Sequence, residues 1–85
     1  MHYVYMVRCA DGSLYTGYAL DPQRRVQVHN TGKGAKYTRS RLPVELVYTE
    51  CYETATEAHQ REWAIKQLTR VQKLALIAQK TGQSV

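Results

Sequence analysis

The sequence predicts an α+β domain: a small three-stranded antiparallel or mixed sheet flanked by helices, in the order β-β-α-β-α-α. Three observations carry this. Two runs rich in β-branched and aromatic residues, 2–9 and 14–20, flank an Asp11-Gly12 turn. A third such run, 44–52, follows Pro43. Three helix starts are written out as Asp21-Pro22, Thr54 with Glu57, and Thr69 with Gln72.

The first strand is apolar on both sides, with Tyr3, Tyr5 and Val7 on one and Val4 and Met6 on the other. A strand of that kind is covered on both faces. The hairpin loop decides what faces what, because side chains alternate with period two. A two-residue loop pairs Ala10 with Ser13 and sends Tyr5 and Tyr15 to opposite faces. A three-residue loop of Ala10, Asp11 and Gly12, with Gly12 left-handed, pairs Cys9 with Ser13 and puts Tyr5, Tyr15 and Gly17 on one face. The three-residue loop is the expectation, since a shared site needs it.

Asp21 is a good N-cap and Pro22 a good first helical residue, so a helix runs from there to about Asn30 and ends at Gly32 or Gly34. Arg25 and His29 are four apart and share a face. A surface salt bridge is the plain alternative role for Arg25. Residues 31–43 form a basic loop with a short helical turn near 35–38. The third strand offers Leu46, Val47, Tyr48 and Cys51 to the core. The next helix has an inward stripe of Ala58, Glu62, Ile65 and Leu68 or Thr69. Glu62 thus stands in an apolar row, where a carboxylate is costly unless paired or metal-bound; a buried ion pair with an arginine is the alternative. Trp63 reads as packing. A break at Thr69 precedes a last helix to about Gln79, buried through Val71, Leu74, Ala75 and Ala78, with one long helix from Thr54 as the alternative.

At 85 residues the chain reads as a single domain, 1–85, with a frayed tail at 80–85. No apolar run approaches the roughly 20 residues a membrane span needs. The chain opens directly on a strand pattern, with no basic-then-apolar leader. Cys9 and Cys51 form no CxxC pair, which suits a reduced, cytoplasmic protein with two buried thiols. The net charge is +5 with a sequence pI of about 9.4. It clusters: Lys33, Lys36, Arg39 and Arg41 lie in the 31–43 segment, which has two glycines and no acid. Such a loop is ordinarily just solvated; beside reactive side chains it points to a polyanion, with DNA the expected partner and RNA also open.

The reactive inventory is Tyr5, Tyr15, Arg25, His29 and Glu62. There is no phosphate-binding glycine loop and no zinc spacing, and no pairing identifies a serine or cysteine nucleophile. Phosphodiester hydrolysis suits the inventory. A fixed arginine stabilises charge on the phosphoryl oxygens. A divalent ion helps the leaving oxygen and needs only one or two protein carboxylates. A tyrosine, with a free pKa near 10, needs a nearby cation to act as base at neutral pH.

Tyr3-Val4-Tyr5 and Tyr15-Thr16-Gly17 resemble the two motifs of the GIY-YIG nuclease family, and the resemblance covers nearly the whole chain. Arg25 matches the family's catalytic arginine, Glu62 its metal-binding glutamate, and His29 a position that is Tyr or His. The small size and the stretch Gly32-Lys33-Gly34-Ala35-Lys36-Tyr37-Thr38 are similar to the stand-alone YhbQ/YazA-like bacterial branch. The first motif departs as Tyr-Val-Tyr, and the second has Thr for Ile. Tyr18 stands where several members have a lysine. The resemblance implies a metal-dependent endonuclease acting on DNA, structure-selective and used in processing or repair. Glu62 would hold Mg²⁺ or Mn²⁺ and Arg25 would contact the scissile phosphate. Tyr5 would be the base, with Tyr15 supporting, the two roles being exchangeable, and with His29 assisting. Lys33, Lys36, Arg39 and Arg41 would bind flanking phosphates and Tyr37 would stack on a base. Family enzymes often carry a separate DNA-binding domain; here substrate affinity or specificity would be low, or supplied by a protein partner. Two rivals remain at this level: a nucleic-acid-binding module with weak or no catalysis, and a partner-docking domain.

Overall fold

The computed structural model describes residues 1–83. Strands β1 (His2–Arg8) and β2 (Leu14–Ala19) form a hairpin, and β3 (Glu45–Tyr52) pairs with the other side of β1. The sheet is antiparallel throughout, in the order β2-β1-β3. The helices are α1 (Pro22–Asn30), a short α2 (Lys36–Arg39), α3 (Ala55–Lys66) and α4 (Arg70–Gln83). This is the expected α+β fold in the expected order.

The hairpin has the three-residue loop. The Cys9 amide donates to the Ser13 carbonyl and the Gly12 amide to the Cys9 carbonyl, both at 2.9 Å. Gly12 sits at φ 84°, a backbone shape that costs glycine nothing. Tyr5 therefore lies opposite Gly17, and Val7 opposite Tyr15. Being central, β1 is buried on both faces. On one face Tyr5, Val7 and Cys9 pack with Ala19, Val44 and Val26 of α1. On the other, Val4 and Met6 pack with Tyr48, with Ala58 and Ile65 of α3, and with Leu76 and Ile77 of α4. The sheet is thus a thin layer with α1 on one side and α3 and α4 on the other.

The caps follow the sequence. Asp21 accepts from the Arg24 amide at 3.2 Å and Thr54 from the Glu57 amide at 3.2 Å. Thr69 and Gln72 form a reciprocal capping box, so the chain breaks there rather than running on as one helix. Gly32, at φ 82°, ends α1 with its amide on the His29 carbonyl.

Four expectations need correction. Cys51 is exposed, and only Cys9 is a buried thiol: β3 is an edge strand, and Cys51 packs into neither core. Trp63 is 67% exposed and packs into neither core. The inward face of α4 is also different: Val71 is 76% exposed, and Ala75 and Ala78 are exposed too. Leu76 and Ile77 meet the core instead, and Leu74 is half-buried. Lys80 hydrogen-bonds the Thr49 carbonyl and lies over the Tyr48 ring at 5.2 Å. Finally, α4 continues past Gln79 to Gln83; of the expected frayed tail, Ser84 and Val85 lie outside the described residues.

A polar clasp unsuspected from the sequence ties β3 to α3. Arg61 grips Glu50 with two hydrogen bonds of 2.8 and 3.1 Å, and the Tyr48 and Tyr52 hydroxyls donate to the same carboxylate. Burial pushes the Glu50 carboxyl up, but these donors outweigh it and hold it below the ordinary value.

Candidate active site

The face of the sheet under α1 carries the two tyrosines, as the odd hairpin loop requires. Tyr5 is 1% exposed and Tyr15 half-buried, with ring centroids 6.5 Å apart. Gly17 leaves room for Tyr5: a Cβ there would lie 2.5 Å from the Tyr5 hydroxyl oxygen. From α1, His29 reaches in, fully buried, and its Nε2 lies 2.8 Å from the Tyr5 hydroxyl. Its edge meets the Tyr15 ring at 5.5 Å.

The far nitrogen of His29 is held by the start of the basic segment. Nδ1 accepts from the Ala35 amide at 3.3 Å and lies 2.9 Å from the hydroxyl of the buried Thr38. An amide can only donate. The ring proton is therefore assigned to Nε2, which donates to the Tyr5 oxygen. Burial, then the nearby Arg25 charge, depress the His29 pKa, so the imidazole is neutral at neutral pH. Gly34 is buried against this ring, where any side chain would collide with the His29 backbone.

Arg25, one turn before His29, is half-buried. Glu62 comes from α3, on the other side of the sheet; α3 also packs on the edge strand β2. Its side chain is only 16% exposed. Three side chains act on Tyr5 in addition to burial. Burial, then Tyr15, push its pKa up; Arg25 pulls it back; Glu62 raises it again, and the result is about 12. Of the two charges, Arg25 bears more strongly on the Tyr5 hydroxyl than Glu62 does. Among the described residues no arginine pairs with Glu62: Lys66 holds Oε2 at 3.0 Å and His59 lies 3.1 Å from Oε1.

The basic segment divides. Lys33, Lys36 and Arg39 are exposed, whereas Arg41 is engaged internally. It pairs with Asp11 at 3.1 Å, donates to the Tyr37 carbonyl at 2.7 Å and lies over the Tyr37 ring at 4.0 Å. Tyr37 also stacks on Tyr15 at 5.9 Å, which joins the basic segment to the tyrosine pair.

A family model described as the GIY-YIG catalytic domain matches residues 1–75. The chain belongs to the GIY-YIG family. Its domain is therefore of nuclease type, with nucleic acid as the class of substrate. UPF0213 proteins of Staphylococcus aureus, from strains Mu3 and N315 among others, are 60% identical over 79 residues, covering 93% of this chain and 96% of theirs. The solution NMR structure of a UPF0213 protein from Bacillus halodurans has 48% identity and a TM-score of 0.61, covering 93% of this chain and 84% of that one. A solution NMR structure of an E. faecalis protein gives 46% identity and the same TM-score, covering 99% and 88%. These relatives are of the small stand-alone kind that the sequence resembles.

In this GIY-YIG chain the motif glycine, Gly17, serves space rather than backbone freedom. Among the described residues no group of three or more His, Cys, Asp or Glu side chains gathers. A carboxylate with waters suffices for a small hard dication, and Glu62 is the residue that could supply it. Reasoning from sequence missed Thr38, Gly34, His59 and Lys66. The last two were in plain view at three before and four after Glu62, the spacing of neighbours on one helix face.

Proposed function

We propose that this chain is a metal-dependent endonuclease that hydrolyses phosphodiester bonds in DNA, acting on branched or nicked DNA in processing or repair. One observation supports the reading: Tyr5, Tyr15 and His29 meet on the sheet face under α1, with the Tyr5 hydroxyl 2.8 Å from His29 Nε2 and Arg25 one helical turn before His29. In this reading Arg25 binds the scissile phosphate and stabilises the charge that builds on it. Glu62 is the residue to hold a Mg²⁺ or Mn²⁺ ion. When bound, that ion neutralises phosphoryl charge and eases departure of the leaving oxygen.

The roles of the tyrosines are better exchanged. Tyr5, raised to about 12 by burial above all, keeps its proton at neutral pH. With its oxygen accepting from His29, it is suited to donate a hydrogen bond and orient the attacking water. Tyr15, half-buried and closer to solvent, takes the water's proton. His29 holds Tyr5, and Thr38 with Ala35 hold His29. The exposed Lys33, Lys36 and Arg39 bind flanking phosphates, while Arg41, already paired, keeps the segment folded. Tyr37 extends the stack begun by Tyr15. A reducing cytoplasm suits the free Cys9 and Cys51, and a protein partner would supply specificity.

The test is cleavage of branched, nicked and single-stranded DNA with Mg²⁺ or Mn²⁺. Arg25→Ala and Glu62→Ala are each expected to lose about 10²-fold or more, the scale of removing one charge-stabilising group. Full activity in both variants refutes the assignment. A second reading, a nucleic-acid-binding module, is favoured by the grip of Lys66 on Glu62. It predicts salt-sensitive binding that survives Glu62→Ala without any metal-dependent product.

A further inference from the structure

His59 has two unusual relations for an exposed helix residue. Its ring stacks on Tyr18 with centroids 4.1 Å apart and planes 27° apart, and Tyr18 is itself bonded to Nδ1 of His2 at 2.6 Å. So stacked, the ring turns Nδ1 to within 3.1 Å of Glu62 Oε1. The other carboxylate oxygen is occupied by Lys66 at 3.0 Å, so Oε1 answers to His59.

The spacing is that of two ligands of one ion. At metal–ligand bonds of about 2.1 Å, donors 3.1 Å apart subtend about 95°, near the cis angle of an octahedral site. A carboxylate alone favours hard ions such as Mg²⁺; adding an imidazole nitrogen shifts preference toward first-row transition metals. We infer that His59 is a second protein ligand beside Glu62, and that it makes this site select a transition-metal dication over Mg²⁺. This rests on the reading of Glu62 as the metal carboxylate. The competing account is an ordinary helix ion pair three residues apart, which binds no metal through nitrogen.

The experiment uses the whole chain with Mn²⁺ as probe. Mn²⁺ affinity is measured by titration calorimetry with Mg²⁺ as competitor, and ligation by electron spin-echo modulation from a directly bound ¹⁴N. His59→Phe keeps a ring on Tyr18 but removes both nitrogens; His59→Gln removes the ring as well. Expected are ¹⁴N modulation in the wild type and its loss in both variants. Mn²⁺ affinity should fall by about 10–100-fold in both, with Mg²⁺ affinity held and the same melting temperature. No ¹⁴N modulation in the wild type, or unchanged Mn²⁺ affinity in His59→Phe, overturns the inference. If Glu62→Gln still abolishes Mn²⁺ binding in that case, the carboxylate reading stands without His59. If Glu62→Gln also binds Mn²⁺ as the wild type does, both readings fall.

Discussion

Replacing Gly17 by alanine tests the geometry of the site without touching a reactive group. Gly17 and Tyr5 are directly opposite in the hairpin, and an alanine Cβ would lie 2.5 Å from the Tyr5 oxygen, 2.6 Å from Cζ and 2.9 Å from Cε1. The ring has nowhere to retreat, since Tyr5 is 1% exposed and its hydroxyl is bonded to the fully buried His29. Overpacking of this kind costs about 1–3 kcal/mol, and loss of the Tyr5–His29 hydrogen bond adds about 1 kcal/mol. The total of about 2–4 kcal/mol corresponds to a fall in Tm of about 10–30 °C in so small a domain. Scanning calorimetry measures it. In a Tyr5→Leu background the clash is gone, so the same Gly17→Ala change should cost far less, a coupling that a double-mutant cycle reads directly. A Tm unchanged by Gly17→Ala, or an equal cost in both backgrounds, refutes the claim that this glycine is there to seat Tyr5.

Two further outcomes follow from buried polar groups. Burial and Arg25 hold the His29 pKa below its free value. Between that depressed value and about 6.5 the unfolded chain binds more protons than the folded one, so stability rises with pH through this window. Urea unfolding should show stability fully present above about pH 7 and declining as pH falls through 6.5; His29→Gln should remove that slope, and parallel pH profiles for the two proteins would contradict it. The Thr16 hydroxyl, buried opposite α1, has no hydrogen-bond partner among the described residues. Thr16→Val keeps the shape and removes the stranded group, so it should stabilise by about 1–2 kcal/mol in urea unfolding, whereas a loss of stability would mean the hydroxyl is satisfied.

Local chemistry was legible in advance. Asp21-Pro22, the Thr54 and Thr69 caps and the glycine at residue 32 each act through bonds within a few residues, so they hold in any tertiary setting. The hairpin register was legible for a related reason: one loop length fixes the facing of every later residue, and it put Tyr5, Tyr15 and Gly17 together. The inward face of α4 was not. Val71, Ala75 and Ala78 make an apolar row of their own, and hydrophobicity alone does not say which of two rows turns inward. The packing of Leu76 and Ile77 against the core decided it.

By itself the sequence determined the order of elements, their ends, the face the tyrosines share and the family resemblance, because each rests on near-neighbour sterics or on side chains a turn apart. Only the tertiary structure decided that Arg61 closes on Glu50 and that Thr38 reaches His29. Those partners come together between a helix and the sheet or across the width of a loop. Distance along the chain says nothing about them until the layers have packed.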